Sequence, residues 1–288
     1  MTITRFAPSP TGHLHLGHAL AAWVAREEAD RHGGMMLLRH EDLDTERCRE
    51  EYYQRIEEDL RWLGIHWEGR AWRQSERHDT YRKALQRLIE LDVLYPCFCT
   101  RREIAQELSA MGQAPQQDDV VNPSFYPGTC RNLSDKSRRE RIQVGDAHAW
   151  RLNSSQAAAL AGALTFFDHR AGTITVDPHL LGDVIMARKD TGASYHLAVV
   201  VDDAAQQVSL VTRGEDLLGS THVHRLLQNL LGLPEPEYLH HVLVCDENGK
   251  RLAKRHDALA LRQMRNAGLS AADVIGMIRR LHEKSGSA

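Results

Sequence analysis

The chain has 288 residues, 42% of them hydrophobic and 26% charged, with a formal net charge of −3. That length suits two domains, or one large α/β domain carrying an insertion, and can bury a sizeable core. The charge balance leaves no footprint of a nonspecific nucleic-acid binder, no apolar run reaches the roughly 18–20 residues that span a bilayer, and five unevenly placed cysteines argue against a disulfide framework.

Residues 2–4 read as a short strand and residues 19–24 as the start of a helix. Between them, Arg5-Phe6-Ala7-Pro8-Ser9-Pro10-Thr11-Gly12-His13-Leu14-His15-Leu16-Gly17-His18 is a loop punctuated by Pro and Gly. It delivers Ser9, His15, Gly17 and His18 to a helix N-terminus, where free N–H groups and the positive dipole end suit an anion. Two imidazoles can donate to phosphate oxygens, and Gly17 leaves room for a flat ring against the backbone. Gly33-Gly34 is a break, and residues 35–39 form a short apolar run bounded as a buried strand. Strand, loop, helix and strand make a βαβ unit, whose ligand site lies at the carboxyl ends of the strands. His40-Glu41-Asp42-Leu43-Asp44 places three carboxylates at that edge. Glu41, closest to the strand, is the candidate for a substrate ammonium, and Asp44 is better read as a capping or surface charge. Thr45 or Asp44 can cap the next helix, with Tyr53, Ile56, Leu60 and Leu63 at helical spacing before Gly64. A further helix from about Glu76 carries Tyr81, Leu85, Leu88 and Ile89 on one face.

The character changes near Tyr95-Pro96. Residues 96–181 hold a Cys-x-Cys pair, a polar loop at 113–124 and a basic cluster of Lys136, Arg138, Arg139 and Arg141, and they read as an insertion. Beyond Gly182 the apolar runs 183–188, 194–201 and 208–213 read as strands covered on both faces. A helix with Val223, Leu226, Leu227 and Leu230 ends near Gly232 and Pro234, and residues 238–245 suggest one more strand. Gly249-Lys250-Arg251-Leu252-Ala253-Lys254-Arg255 is a basic loop. The last helix is capped at Ser270, with Asp273 three residues on and a Leu269–Val274 staple. The expected division is 1–95, 96–181, 182–245 and 246–288.

Arg5 and Arg213 each end a strand at the ligand edge, and the planar guanidinium fork matches a carboxylate. Tyr195, within an expected strand, adds a hydroxyl. Cys97, Cys99 and Cys130 supply three soft ligands, and a tetrahedral structural zinc needs a fourth. Tyr126, Asp118 and Asp119 are nearby, and on general grounds an aspartate is the commoner ligand.

Residues 5–18 resemble the HIGH motif of class I aminoacyl-tRNA synthetases, in the form used by the glutamyl group. Residues 251–255 resemble the KMSKS loop of that class, with Arg251 replacing the first Lys and Ala253 the Ser. The runs Thr212-Arg213-Gly214-Glu215-Asp216 and Val199-Val200-Val201-Asp202-Asp203 resemble glutamyl synthetase motifs. Cys-x-Cys followed by Tyr-x-x-x-Cys is similar to the zinc site of the truncated glutamyl-Q tRNA(Asp) synthetases. About 33 residues follow Arg255, a helical stem-contact remnant rather than an anticodon-reading body on this reading.

The resemblance implies an α/β fold: a doubly wound parallel-sheet Rossmann catalytic domain of the HIGH type, an inserted zinc-bearing α+β region and a short helical C-terminal remnant. It implies a glutamate pocket of Arg5, Ala7, Ser9, Glu41, Tyr195 and Arg213. ATP falls to His15, Gly17, His18 and Lys254, with His15, His18 and Lys254 catalytic and Mg²⁺ accompanying the nucleotide. One structural Zn²⁺ falls to Cys97, Cys99, Tyr126 and Cys130. The implied reaction activates L-glutamate as its adenylate without tRNA, then transfers it to queuosine at the wobble position of tRNA(Asp). Alternatives are a truncated discriminating glutamyl-tRNA synthetase and a catalytically dead paralogue that binds glutamate or tRNA. The N-terminus lacks an apolar signal core, so a cytoplasmic protein is expected, with a monomer as the default state.

Overall fold

The computed structural model describes residues 1–110, 126–189, 192–244 and 260–284. Strand β1 (Ile3–Phe6) leads into α1 (Leu16–Arg31) and back into β2 (Met35–His40), which pairs with β1 in parallel, Ile3 opposite Met35 and Phe6 opposite Leu38. The βαβ unit is thus the one expected from its loop and glycines. Its closing turn tolerates no side chain: a Cβ on Gly34 would overlap the Thr2 carbonyl oxygen.

Helix α2 (Glu50–Trp62) turns Tyr53, Ile56 and Leu60 inward, and β3 (Trp72–Arg73) then extends the sheet parallel to β2. The expected cap at Asp44 or Thr45 is not used, since the helix starts after Arg49. Asp44 is instead drawn to Arg47, three residues on, at 2.6 Å. Helix α3 (His78–Glu90) buries Tyr81 and Leu88. Next come β4 (Leu94–Cys97), α4 (Arg101–Ala110), α5 (Asp135–Gln143), β5 (Ala149–Leu152), α6 (Ser154–Ala161), β6 (Thr165–Asp168), β7 (Gly172–Thr175) and β8 (Ile185–Ala187). The chain continues through α7 (Tyr195–Ala205), β9 (Leu210–Gly214), α8 (Leu218–Leu231) and β10 (Glu237–His241). Helices α9 (Leu261–Asn266) and α10 (Ala271–Lys284) complete it.

Strands β6, β10 and β9 run parallel, with β7 as an antiparallel edge, in the order β7-β6-β10-β9. The β9 side meets β1, where the Ser209 amide donates to the Ile3 carbonyl at 3.0 Å and the Ile3 amide to Ser209 Oγ at 2.9 Å. One core gathers α1, α2, α9 and α10 over β1 and β2, and another gathers α3, α6, α7 and α8 with β4, β5 and β8.

Three stretches differ from expectation. Residues 194–201 are not a strand: Ser194 precedes α7 without a capping side-chain hydrogen bond, and 195–201 are the start of that helix. Leu197, Ala198, Val199, Val200 and Val201 are all buried in the second core, so the run is apolar all round and shows no period. Without a period, β-branched valines favour the strand reading, and packing overrides them. Tyr195 therefore begins a helix. The run 183–188 shortens to β8 and pairs antiparallel with β5 rather than rejoining the parallel sheet. Asp183 anchors it there, accepting from the Tyr95 hydroxyl at 2.6 Å and the Ser154 hydroxyl at 2.9 Å. Finally, the stretch 96–181 returns β6 and β7 to the sheet of β9 and β10. Among the described residues no helix is long and apolar enough to cross a membrane.

Candidate active site

The N-terminus of α1 is closed by two histidines. His15 is the N-cap and its Nδ1 accepts the Gly17 amide at 3.1 Å, while the His15 amide donates to His18 Nδ1 at 3.3 Å. Backbone amides only donate, so in both rings Nδ1 carries the lone pair and the proton sits on Nε2. The rings lie against each other, centroids 3.8 Å apart. A Cβ on Gly17 would come within 3.1 Å of the His15 ring, so the flat ring this glycine accommodates is that of its own cap. The first turn holds no acid, so the positive dipole end of α1 favours an anion.

The carboxyl end of β1 places Arg5 beneath this loop. Arg5 Nε donates to Asp203 Oδ1 at 3.1 Å and a terminal nitrogen donates to the Thr212 carbonyl at 3.0 Å. Asp203, on α7, also pairs with buried Arg39 at 2.8 Å. Burial alone would raise the Asp203 carboxyl, but Arg5 and Arg39 hold it below the usual range. Neighbouring Asp202 is held by Arg77 at 2.6 Å, Tyr81 at 2.8 Å and Gln74 at 3.0 Å. Glu41 follows β2 directly, and its amide donates to the Pro8 carbonyl at 3.0 Å, between Ala7 and Ser9. Its carboxyl lies 3.8 Å from Arg39, and burial pushes it up to about 7 against the pull of Arg39 and Arg5.

Arg213, near the end of β9, is 5% exposed. Its Nε donates to His240 Nε2 at 3.1 Å; one terminal nitrogen donates to His224 Nδ1 at 3.1 Å and to the Tyr195 hydroxyl at 3.3 Å, the other to Thr221 Oγ1 at 2.5 Å. Every one of these partners is neutral. Burial drives the three surrounding imidazoles away from protonation: His196 falls to about 4, His224 lies well below its usual range, and His240 is lowered as well. Among the described residues no carboxylate pairs with this guanidinium. The Tyr195 hydroxyl is kept protonated by burial, with Arg213, Glu41, Arg5 and Asp203 all close enough to influence it. The arrangement offers a cation with only neutral hydrogen-bond partners for an anionic group and a carboxyl for a cationic one.

A second cluster joins the end of β4 to the turn before α5. Cys99 and Cys130 sulfurs lie 3.4 Å apart, and the Tyr126 hydroxyl is 3.3 Å from Cys97 and 3.7 Å from Cys99. Metal–sulfur bonds of about 2.3 Å in a tetrahedron put neighbouring sulfurs roughly 3.8 Å apart, so the spacings fit one ion. Burial raises the Cys99 thiol to about 12 and pushes the Tyr126 phenol up too, so an ion bound here would displace protons. The Arg151 guanidinium lies over the Tyr126 ring at 3.9 Å and favours its anionic form.

The chain matches the family of class I tRNA synthetases (E and Q), catalytic domain, over residues 1–286. It belongs to this family. It is 47% identical to the glutamyl-Q tRNA(Asp) synthetase of Rhodobacter capsulatus, over 96% of this chain and 99% of that protein. Identity to the glutamyl-Q tRNA(Asp) synthetase of Nitratidesulfovibrio vulgaris is 41%, over 96% of this chain and 85% of the relative. Among solved structures, a glutamate-tRNA synthetase from Elizabethkingia anophelis superposes with a TM-score of 0.74 at 28% identity, covering 93% of this chain and 54% of that one.

Of the residues expected for glutamate, Arg5, Glu41 and Arg213 lie close enough to act on the Tyr195 hydroxyl, while Ala7 and exposed Ser9 flank Pro8, whose carbonyl accepts the Glu41 amide. Lys254, Arg251 and Ala253 lie outside the described residues, as do Asp118, Asp119 and Cys245. The chain re-enters at Ala260, which bridges to His15, while the Leu261 amide donates to the Leu14 carbonyl at 2.9 Å. The basic cluster forms α5, where Lys136 faces Glu140 at 3.8 Å and Arg141 binds Asp146 at 2.6 Å and covers the Phe98 ring at 4.0 Å. Sequence reasoning missed Arg39, Asp168, Thr221, His224 and His240. Thr221, His224 and His240 touch Arg213 only through the tertiary fold, and in a chain with 17 histidines no local pattern marks two of them.

Proposed function

We propose that this synthetase activates L-glutamate with ATP in the absence of tRNA and then transfers it to the queuosine of tRNA(Asp). The observation that carries the reading is Arg213, a buried cation whose hydrogen-bond partners are all neutral, together with Glu41, a carboxyl whose contact with Arg39 at 3.8 Å is too long for a hydrogen bond. Glutamate supplies what both lack: a side-chain carboxylate for Arg213, with Arg5 behind it, and an ammonium for Glu41. Tyr195, whose oxygen already accepts from Arg213, donates its own proton to the same ligand.

The α-carboxylate oxygen of glutamate attacks the α-phosphorus of ATP, the bond to the β-phosphate oxygen breaks, and pyrophosphate leaves with the electron pair. His15 and His18 donate Nε2–H to phosphate oxygens at the start of α1, where the dipole favours the charge. Lys254 stands six residues before Ala260, which bridges to His15, and is assigned to the leaving pyrophosphate. Mg²⁺ accompanies ATP and spreads its charge. In the second step a hydroxyl of the queuosine cyclopentene-diol attacks the glutamyl carbonyl carbon, the bond from that carbon to the phosphate oxygen breaks, and AMP leaves with the electron pair and takes up the hydroxyl proton. The choice of tRNA(Asp) rests on the relatives at 47% and 41% identity, which carry that name.

Zn²⁺ is assigned to Cys97, Cys99, Cys130 and Tyr126, whose hydroxyl stands within the cluster. Its role is to hold residues 96–181, read as an acceptor-like insertion between catalytic halves 1–95 and 182–245, with β6 and β7 returned to the catalytic sheet. The test is glutamate-dependent ATP–pyrophosphate exchange without tRNA, followed by labelling of tRNA from queuosine-proficient and queuosine-deficient cells. Exchange with glutamate alone and label only on queuosine-bearing tRNA are expected. Exchange that appears only after tRNA(Glu) is added overturns the reading.

A further inference from the structure

The contacts behind Arg213 form an ordered chain. A guanidinium has no acceptor, so His240 Nε2, 3.1 Å from Arg213 Nε, must carry the lone pair. The single proton of this imidazole then sits on Nδ1, which lies 2.7 Å from Asp168 Oδ2. Asp168 ends β6 and is fully buried. Its Oδ1 accepts the amides of Arg170 at 3.0 Å and Ala171 at 2.9 Å, and Oδ2 also accepts the His240 amide at 3.1 Å. Burial alone would raise this carboxyl, yet His240 and the three amides hold it down at about 2, so it stays charged. The Thr221 hydroxyl lies 3.1 Å from His240 Nε2 and shares the same corner.

We propose that Asp168 and His240 are positioning residues for glutamate: the Asp168 carboxylate fixes the His240 tautomer, and the His240 lone pair aims the Arg213 guanidinium at the substrate's side-chain carboxylate. The inference rests on the reading of Arg213 as that carboxylate's partner. It also gives the site a basis for preferring glutamate over glutamine. The one acid of this relay, Asp168, is an imidazole away from Arg213, so the guanidinium keeps its attraction for an anion, and an uncharged amide would leave it unbalanced.

Asp168 also closes the β6–β7 turn, so the test must separate aim from architecture. In Asp168→Asn the two turn amides retain the carbonyl oxygen, which directs the new amide nitrogen at His240. That nitrogen donates to Nδ1, forces the imidazole proton onto Nε2 and sets it against Arg213 Nε–H, while the His240 amide loses its acceptor, a change the His240 variants do not share. In pyrophosphate exchange the KM for glutamate is expected to rise about 10- to 100-fold, with that for ATP changed less than about twofold. His240→Asn, which keeps the donor to Asp168 but places no acceptor at Arg213, shares the defect. His240→Gln, whose oxygen reaches the ε position, stays near wild type. Wild-type KM values in Asp168→Asn, equal rises for glutamate and ATP, or equal behaviour of the two His240 variants overturn the proposal, and the His240 pair decides it alone if Asp168→Asn does not fold. A separate readout is the ¹⁵N shift pattern of His240 in the unsubstituted protein. An Nδ1–H ring supports the relay and an Nε2–H ring overturns it. Wild-type protein that lacks glutamate-dependent exchange but shows the Nδ1–H ring removes the proposed substrate and leaves the hold on Arg213 standing.

Discussion

A carboxylate that holds an ammonium works only when ionised, and burial pushes Glu41 up to about 7 in the ligand-free protein. Glutamate binding is therefore expected to weaken as pH falls through that value, with the KM for glutamate rising toward about tenfold per pH unit below it. A flat KM between pH 5.5 and 8 would remove Glu41 from the ammonium. The same burial has a stability consequence of opposite sense. The unfolded chain releases this proton near about 4.3, so the fold favours the protonated form. Glu41's contribution to stability is complete below the unfolded value and is lost as pH rises through about 7. Glu41→Gln should thus stabilise the ligand-free protein at pH 8 by on the order of 1–2 kcal/mol, give no gain at pH 4, and abolish glutamate-dependent exchange. Thermal melts at the two pH values check the sign; an equal gain at both would refute the linkage.

The start of α1 carries two duties on the same side chains. His15 caps the helix through Nδ1 and, on the proposed mechanism, serves phosphate through Nε2–H. Asparagine caps helices well but has no donor at the ε position, so His15→Asn separates the duties. Stability is expected to change by less than about 0.5 kcal/mol while the exchange rate falls on the order of 100-fold. A rate that follows stability would reduce His15 to a cap. The βαβ unit was legible in the sequence because its signals are local, a loop punctuated by Pro and Gly and a glycine turn that admits no Cβ, but the helix begins at Leu16 rather than at Ala19 because His15 caps it. The capping box of α10 was legible for the same reason, with the Asp273 amide donating to Ser270 Oγ at 3.2 Å and the Ser270 hydroxyl to Asp273 at 2.6 Å. Helix α7 was not, since a run buried on every side shows neither period. The strand end that bears Arg213 was legible, but its partners come from α7, α8 and β10, and Asp168 from a hairpin inside the apparent insertion. Only the closed sheet brings those together.

At the scale of the whole molecule, the cysteine cluster belongs to a small core of its own, with Tyr95 and Phe98 beside Cys97 and Cys130. It is tied to the rest through Asp183, which accepts from Arg131 at 2.9 Å and from the Tyr95 hydroxyl at 2.6 Å, and through the antiparallel sheet of β4, β5 and β8. Arg5 and Arg213 instead lie near the ends of β1 and β9, in the two sheets that contain parallel strands, and Glu41 follows β2. Loss of an ion from the cluster should therefore disturb the two activities unequally. The protein is expected to hold one equivalent of zinc. Its removal by a chelator should lower the melting temperature and suppress transfer to tRNA, while exchange with glutamate alone retains most of its rate. Tyr126→Phe keeps the ring under Arg151 but removes the oxygen 3.3 Å from Cys97, so zinc affinity should drop while the fold persists. An unchanged affinity would give the fourth position to another ligand, with Asp118 and Asp119 the first to substitute. Exchange that collapses together with transfer would mean that the small core shapes the glutamate pocket after all, through β8 and the start of α7.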